Sequence, residues 1–184
     1  DGFIGPGHVS MVIGTAPYRF IAERYRKPLV IAGFEPLDVL QSVWMLLAQI
    51  DEGRCAIENQ YARVAETDGN VAALAAIAAV FEPRESCEWR GLGSIDHSGV
   101  RMRERYAPWD AERRFPLARR RIADPGGCQC GEVLRGVIKP WQCALFGKAC
   151  TPETPLGALM VSSEGACSAY IQYARIDERG KPLA

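Results

Sequence analysis

A chain of 184 residues and 20.2 kDa is long enough for one compact domain or two small ones, and 48% hydrophobic with 24% charged residues is the composition of a folded protein. Lys plus Arg and Asp plus Glu both number 22, so no global field draws the chain to nucleic acid or to an anionic membrane. The apolar run at residues 39–50 is interrupted by Gln41, Ser42 and Gln49 and falls short of the roughly 20 residues that cross a bilayer, which argues against a membrane span.

In chain order, the sequence opens at Asp1 on an apolar, Gly-rich segment without a positively charged leader, as expected of a fragment of something longer. GPGHVS at 5–10 joins turn-forming residues to an imidazole and a hydroxyl. Backbone freedom there lets His8 face a cleft, as a metal ligand or proton relay; the alternative is an imidazole that hydrogen-bonds its own loop. Residues 28–33, PLVIAG, are continuously apolar and end in Gly, as a buried parallel strand does. Glu35, Pro36 and Asp38 suit a helix N-terminus, and apolar residues recur at 37, 40, 43, 44, 47 and 50. The unit is strand, tight turn, helix. Residues 55–58 make a second candidate strand, and 70–80 an Ala-rich helix with Asn70 as its N-cap.

Alternating strands and helices predict an α/β fold, with a parallel, helix-flanked sheet domain over residues 1–82. Open sheets of this type bind ligands beyond the C-terminal ends of their strands. GFEPLD at 33–38 and ENQY at 58–61 occupy two such ends and would converge on one cleft; spacing fixes no catalytic pair there, and His8 and Glu35 are taken, as cleft residues, for the candidate catalytic ones. For the first cluster the alternative is a helix N-terminus decorated with stabilising acids.

From residue 83 onward the chain is punctuated by Pro and Gly, so its helices must be short: one over 106–115 and a closing one over 163–174 that contains Cys167. WRGLG at 89–93 is expected to anchor the two halves together, and His97 to be a turn residue with an exposed ring. Arg119, Arg120 and Arg121 form the one basic run, without the interleaved aromatics of a nucleic-acid platform, and are read as a solvated face.

Seven cysteines disfavour a fully paired disulfide framework, and five of them fall between residues 128 and 167. Clustered thiols of this kind point to metal ligation or redox chemistry in a reducing compartment, hence to the cytoplasm. Cys55 and Cys87 stand apart and are read as inert. Cys128 and Cys130 form a C-x-C pair, followed by Cys143 after twelve residues, Cys150 after six and Cys167 after sixteen. Zinc sites usually draw on two Cys-x(2–4)-Cys pairs, and only one close pair occurs here. Widely spread single cysteines after a close pair fit a four-iron cluster better, with zinc and redox thiols as the remaining readings. Residues 83–184 are therefore read as a Pro/Gly-rich, cysteine-bearing region expected to hold an iron–sulfur cluster, with zinc or redox thiols as the alternatives, in which an inorganic group would supply cross-linking that packing cannot.

Taken together, GPGHVS at 5–10, AGFEPLD at 32–38, ENQYAR at 58–63, WRGLG at 89–93, CQCG at 128–131, CALFGKACTPE at 143–153 and MVSSEGACSAY at 160–170 resemble the HypD family of [NiFe]-hydrogenase maturation proteins. The resemblance implies the second of two similar α/β domains plus a cluster-bearing C-terminal region. It also implies a [4Fe-4S] cluster on four of Cys128, Cys130, Cys143, Cys150 and Cys167. The implied role is a scaffold, acting with the small chaperone HypC and the cyanide donor HypE, on which the Fe(CN)2CO fragment of the hydrogenase active site is assembled. In that reading His8 and the 33–38 segment line the cleft where the fragment is built, and the chain is an assembly scaffold rather than a turnover enzyme. The family's first half, with its iron-holding cysteine and C-x-x-C redox pair, is not among these residues. The competing readings are a cluster-dependent disulfide reductase and a zinc-stabilised α/β interaction module.

Overall fold

The computed structural model describes residues 1–115 and 125–174. The basic run Arg119–Arg121 lies outside the described residues. Contacts divide the chain into two compact units, Asp1–Phe81 and Glu82–Ala184.

The first unit is built on a three-stranded parallel sheet in the order β1 (Phe3–Pro6), β2 (Leu29–Ala32), β3 (Ile57–Asn59). Phe3 pairs with Leu29 and Leu29 with Ile57, so the three strands run in step and end together. The apolar 28–33 run becomes the central strand because it is flanked on both edges. All four β2 residues are buried, and Val30 and Ile31 are fully inaccessible. The sheet is mixed with helices α1 (Gly7–Ile13), α2 (Arg19–Tyr25), α3 (Pro36–Asp51) and α4 (Val71–Val80). Pro36 sits at the start of α3, where its missing N–H costs nothing, and Asn70 caps α4 by accepting the Ala73 N–H at 2.9 Å.

Two features depart from expectation. GPGHVS is not a loop: Gly5 and Pro6 end β1, and Gly7 to Ser10 open α1, so His8 is carried on the first turn of a helix. The apolar stripe of α3 does not pack inward. Asp38, Ser42 and Gln49 are the buried residues, whereas Leu37, Leu40, Trp44 and Leu47 are between 58% and 77% exposed.

The second unit is assembled from short pieces. Two small ribbons occur among its described residues, β4 (Phe81–Pro83) with β7 (Val100–Met102) and the antiparallel hairpin β5 (Ser86–Trp89) with β6 (Gly93–Asp96). The expected helix over 106–115 is instead a 3-10 segment, Glu104–Trp109, followed by α5 (Ala111–Arg114), because Pro108 interrupts the hydrogen-bond ladder. The WRGLG motif forms the tip of the β5–β6 hairpin, and His97 is exposed at a positive φ of 54°. The remaining helices are α6 (Cys130–Leu134), α7 (Ala158–Val161) and α8 (Ala166–Tyr173). Phe146, Cys150, Met160 and Cys167 make the buried centre of this unit, with Trp141 and Tyr170 packed against it at a ring separation of 5.0 Å.

Candidate functional site: five thiols around one cavity

Cys128, Cys130, Cys143, Cys150 and Cys167 all line a single cavity, partly open to solvent, whose other walls are Val133, Leu145, Phe146, Gly157, Leu159 and Met160. Each thiol arrives on a different local device. A turn closed by the Cys128 N–H on the Pro125 carbonyl at 3.1 Å presents Cys128, and Cys130 starts α6 two residues on. Cys143 ends a 3-10 turn, Pro140–Gln142, where its N–H meets the Pro140 carbonyl at 3.1 Å. The chain then folds back so that the Cys150 N–H donates to Leu145 at 3.0 Å, and α8 supplies Cys167. Sixteen residues separate Cys150 from Cys167 in sequence, yet both belong to the same buried cluster.

All seven cysteines are free thiols. Burial first, and then the charges of Cys143, Cys150, Cys128 and Cys130, push the Cys167 thiol up to about 11. Burial likewise raises Cys128; the Cys130 backbone N–H opposes that rise, while the Cys130 and Cys143 thiols add to it. For Cys128 and Cys167 the shifts carry a geometric message: other clustered thiols lie close enough to be felt. A thiol must give up its proton to ligate a metal, so a cationic group entering the cavity would displace protons from the thiols that bind it. One backbone donor faces inward, the Leu156 N–H directed at Cys150 Sγ at 3.4 Å.

Among the described residues, no three His, Cys, Asp or Glu side chains stand close enough together to hold a single metal ion. The thiols ring a space rather than converge on a point. Glycines mould that space. Gly91, at φ 79°, brings the hairpin tip so near that a Cβ there would lie 2.6 Å from Cys130 Sγ, and a Cβ on Gly157 would run into Cys128 Sγ. The WRGLG motif therefore has a local task in shaping the wall beside Cys130.

The first unit has a second constellation, at the C-terminal ends of its strands. His8 stacks on Phe34 with centroids 3.9 Å apart, and Phe34 meets Tyr61 edge-on at 6.1 Å. Arg63 lies over the Tyr61 ring at 4.7 Å and forks onto Asp38, with N–O distances of 2.9 and 2.6 Å. Gln60 donates to Asp38 at 2.8 Å and accepts the Gly33 N–H at 3.2 Å, while Asp38 also accepts the Glu35 N–H at 3.3 Å. The Arg63 guanidinium, then Gln60, hold the Asp38 carboxyl well below the usual carboxylate range. GPGHVS, GFEPLD and ENQYAR thus meet at one edge, where His8 and Glu35 are both exposed. Asp38 and Arg63, absent from the candidate catalytic pair, are the residues that tie this edge together. An acid in the first turn of a helix, with an arginine just past the next strand, was the signal the sequence held for them. Cys55 directs its Sγ at the Arg26 carbonyl at 3.1 Å.

Comparison with known proteins covers both units. The HypD family model, described as "Hydrogenase formation hypA family", matches residues 1–174. The chain is 64% identical to "Hydrogenase maturation factor HypD" of Rhodobacter capsulatus over 177 residues, covering 94% of this chain and 47% of that protein. It is 54% identical to the Escherichia coli (strain K12) factor of the same name over 173 residues, covering 94% and 46%. For the Cupriavidus necator factor the identity is 52% over 178 residues, covering 97% and 47%. The chain spans about half the length of these curated relatives. With a match that runs through both units and includes all five clustered thiols, the chain belongs to the HypD family of hydrogenase maturation proteins.

Proposed function

We propose that this chain is the cluster-bearing portion of a maturation scaffold on which the Fe(CN)2CO fragment of a [NiFe]-hydrogenase is assembled, with a HypC-type chaperone and a HypE-type cyanide donor as partners. The observation that carries the reading is the ring of five thiols around one apolar-walled cavity. Soft thiolates are the donors that iron–sulfur clusters take, and a cavity that spreads its donors suits a group of several atoms better than one ion. Four of Cys128, Cys130, Cys143, Cys150 and Cys167 would hold a [4Fe-4S] cluster, leaving one thiol beside it. When bound, such a cluster supplies one-electron transfer. The chain's own residues exclude water through Phe146, Leu159 and Met160, direct the Leu156 N–H at Cys150, and give up thiol protons on loading.

At the strand ends, the Arg63–Asp38–Gln60 network fixes the 33–38 turn, and Phe34 on that turn fixes the ring of His8. His8 then presents an imidazole to the iron fragment, as substrate, and Glu35 a carboxylate beside it. The site lies in the cytoplasm in this reading. Grafting the chain in place of the matched segment of the Rhodobacter capsulatus relative, in a strain lacking its own HypD, tests the proposal. Restored hydrogenase activity that is lost with Cys143→Ala supports it. A chimera that is stable but inactive, or whose activity survives that replacement, overturns it.

A further inference from the structure

Helix α3 is built inside out. Between residues 39 and 50 it carries no charged side chain, and its apolar residues Leu37, Leu40, Val43, Trp44, Leu47 and Ile50 recur at helical spacing on one side. That side faces away from the sheet: exposures run from 40% for Val43 to 77% for Leu37. The inward face is polar instead, and hydrogen bonds hold most of it, although Gln49 Nε2 is buried without a partner. Ser42 donates to the Asp38 carbonyl at 2.7 Å, Gln49 accepts the Ala56 N–H at 2.8 Å, and Asp38 holds Arg63 and Gln60. A surface helix normally does the reverse, turning its apolar stripe to the core. The next long helix in the chain, α4, VAALAAIAAV, is apolar all round and yet has no buried residue. An uncharged stripe of this size has the chemistry of a permanent interface, since transient interfaces are about as polar as ordinary surface. The relatives supply its occupant, because this chain covers only 47% of the Rhodobacter capsulatus protein.

We propose that the outward stripe of α3 is a docking surface for the portion of a family-length chain that lies outside these 184 residues. The stripe at 37, 40, 44 and 47 alternates steps of three and four, the spacing with which one helix receives another. The occupant is therefore an apolar helical face, continuous with the polypeptide and present at all times. The proposal is independent of the cysteine cavity, and a cluster that failed to form would leave it standing.

The test compares Trp44→Glu in two proteins: the 184-residue chain itself and the family-length chimera in which it replaces the matched segment of the Rhodobacter capsulatus relative. Thermal unfolding and hydroxyl-radical footprinting of residues 37–50 are read in both. In the short chain the substitution is expected to leave the midpoint unchanged or higher, with strong footprinting of Trp44. In the chimera footprinting of Trp44 should fall severalfold, and Trp44→Glu should lower the midpoint by several degrees. Should the chimera fail to fold with Trp44→Glu, the milder Leu47→Gln replaces it, with the same expectation. Equal footprinting in both proteins overturns the proposal. So does destabilisation of the short chain, which would mean that the face is already in use there. A concentration-dependent dimer, retained in the chimera and broken by Trp44→Glu, would assign the stripe to a second copy and also overturn it.

Discussion

Gly157→Ala separates the shape of the cavity from the stability of the fold. Gly157 has φ −95° and ψ 153°, values open to alanine, so the backbone itself offers no objection. The added methyl would collide with Cys128 Sγ, while its next neighbour, Cys130 Cβ, stands at an ordinary 3.6 Å. The strain therefore falls on one rotatable side chain, and the simplest relief is for Cys128 to leave its rotamer. That costs about 1 kcal/mol, which for a protein of this size lowers the melting midpoint by about 2–4 °C. The loss of a donor from the cavity should cost far more in metal binding than in folding. Gly126→Ala is the control, since a Cβ there meets nothing within 4 Å. Both variants are loaded anaerobically with iron and sulfide and compared by iron content and thermal unfolding. Gly157→Ala is expected to fold with a small loss of stability and most of its iron missing, and Gly126→Ala to match the parent chain. Full iron content in Gly157→Ala would refute the reading of Cys128 as one of the four ligands and make it the thiol left beside the group.

His8→Ala should leave iron and sulfide content unchanged, because His8 and the thiols belong to different units, but should abolish hydrogenase maturation by the family-length chimera; loss of the cluster would show the two sites to be one. Asp38→Asn should destabilise the first unit at neutral pH. Its folded-state pKa is depressed, so the stabilisation is fully present above the unfolded value near 3.9 and is lost as pH falls through the lower folded value. Urea unfolding of both forms should show the gap between them narrowing as pH falls below about 4, and a gap independent of pH would contradict the assignment. In the metal-free chain, alkylation at about pH 8 should modify Cys167 most slowly of the five clustered thiols, since burial pushes its pKa to about 11; peptide mapping that finds it among the fastest would refute this.

The central strand and the start of α3 were legible because each rests on local chemistry: an unbroken apolar run for β2, and a proline with adjacent acids for the helix. Asn70 was legible as a cap for the same reason. β1 and α1 were hidden because Gly5, Pro6 and Gly7 carry a turn signature, and only the pairing of Gly5 with Ile31 makes a strand there. The β5–β6 hairpin was hidden too. Its residues are mostly exposed on both sides, so no alternation marks them. Periodicity located the apolar stripe of α3 but carried no information on which side the sheet would lie. That choice was made by the acid at Asp38, whose hydrogen bonds to Arg63 and Gln60 draw the polar face inward. The cysteine cluster shows the same limit. Spacing marked five thiols as one group, while their arrangement around a cavity depends on the folding back of residues 143–150 and on α8.

The claim on which the account rests is that soft donors near the carboxyl end share one inorganic group. Iron, acid-labile sulfide and zinc are to be counted on the anaerobically reconstituted chain and on its seven single Cys→Ala variants. The account predicts about four irons and four sulfides per chain, a visible absorption that bleaches on reduction, and loss of both with four of the five clustered replacements. Cys55→Ala and Cys87→Ala should retain the full load. A colourless chain holding one zinc, or an iron load indifferent to the clustered cysteines, would contradict it.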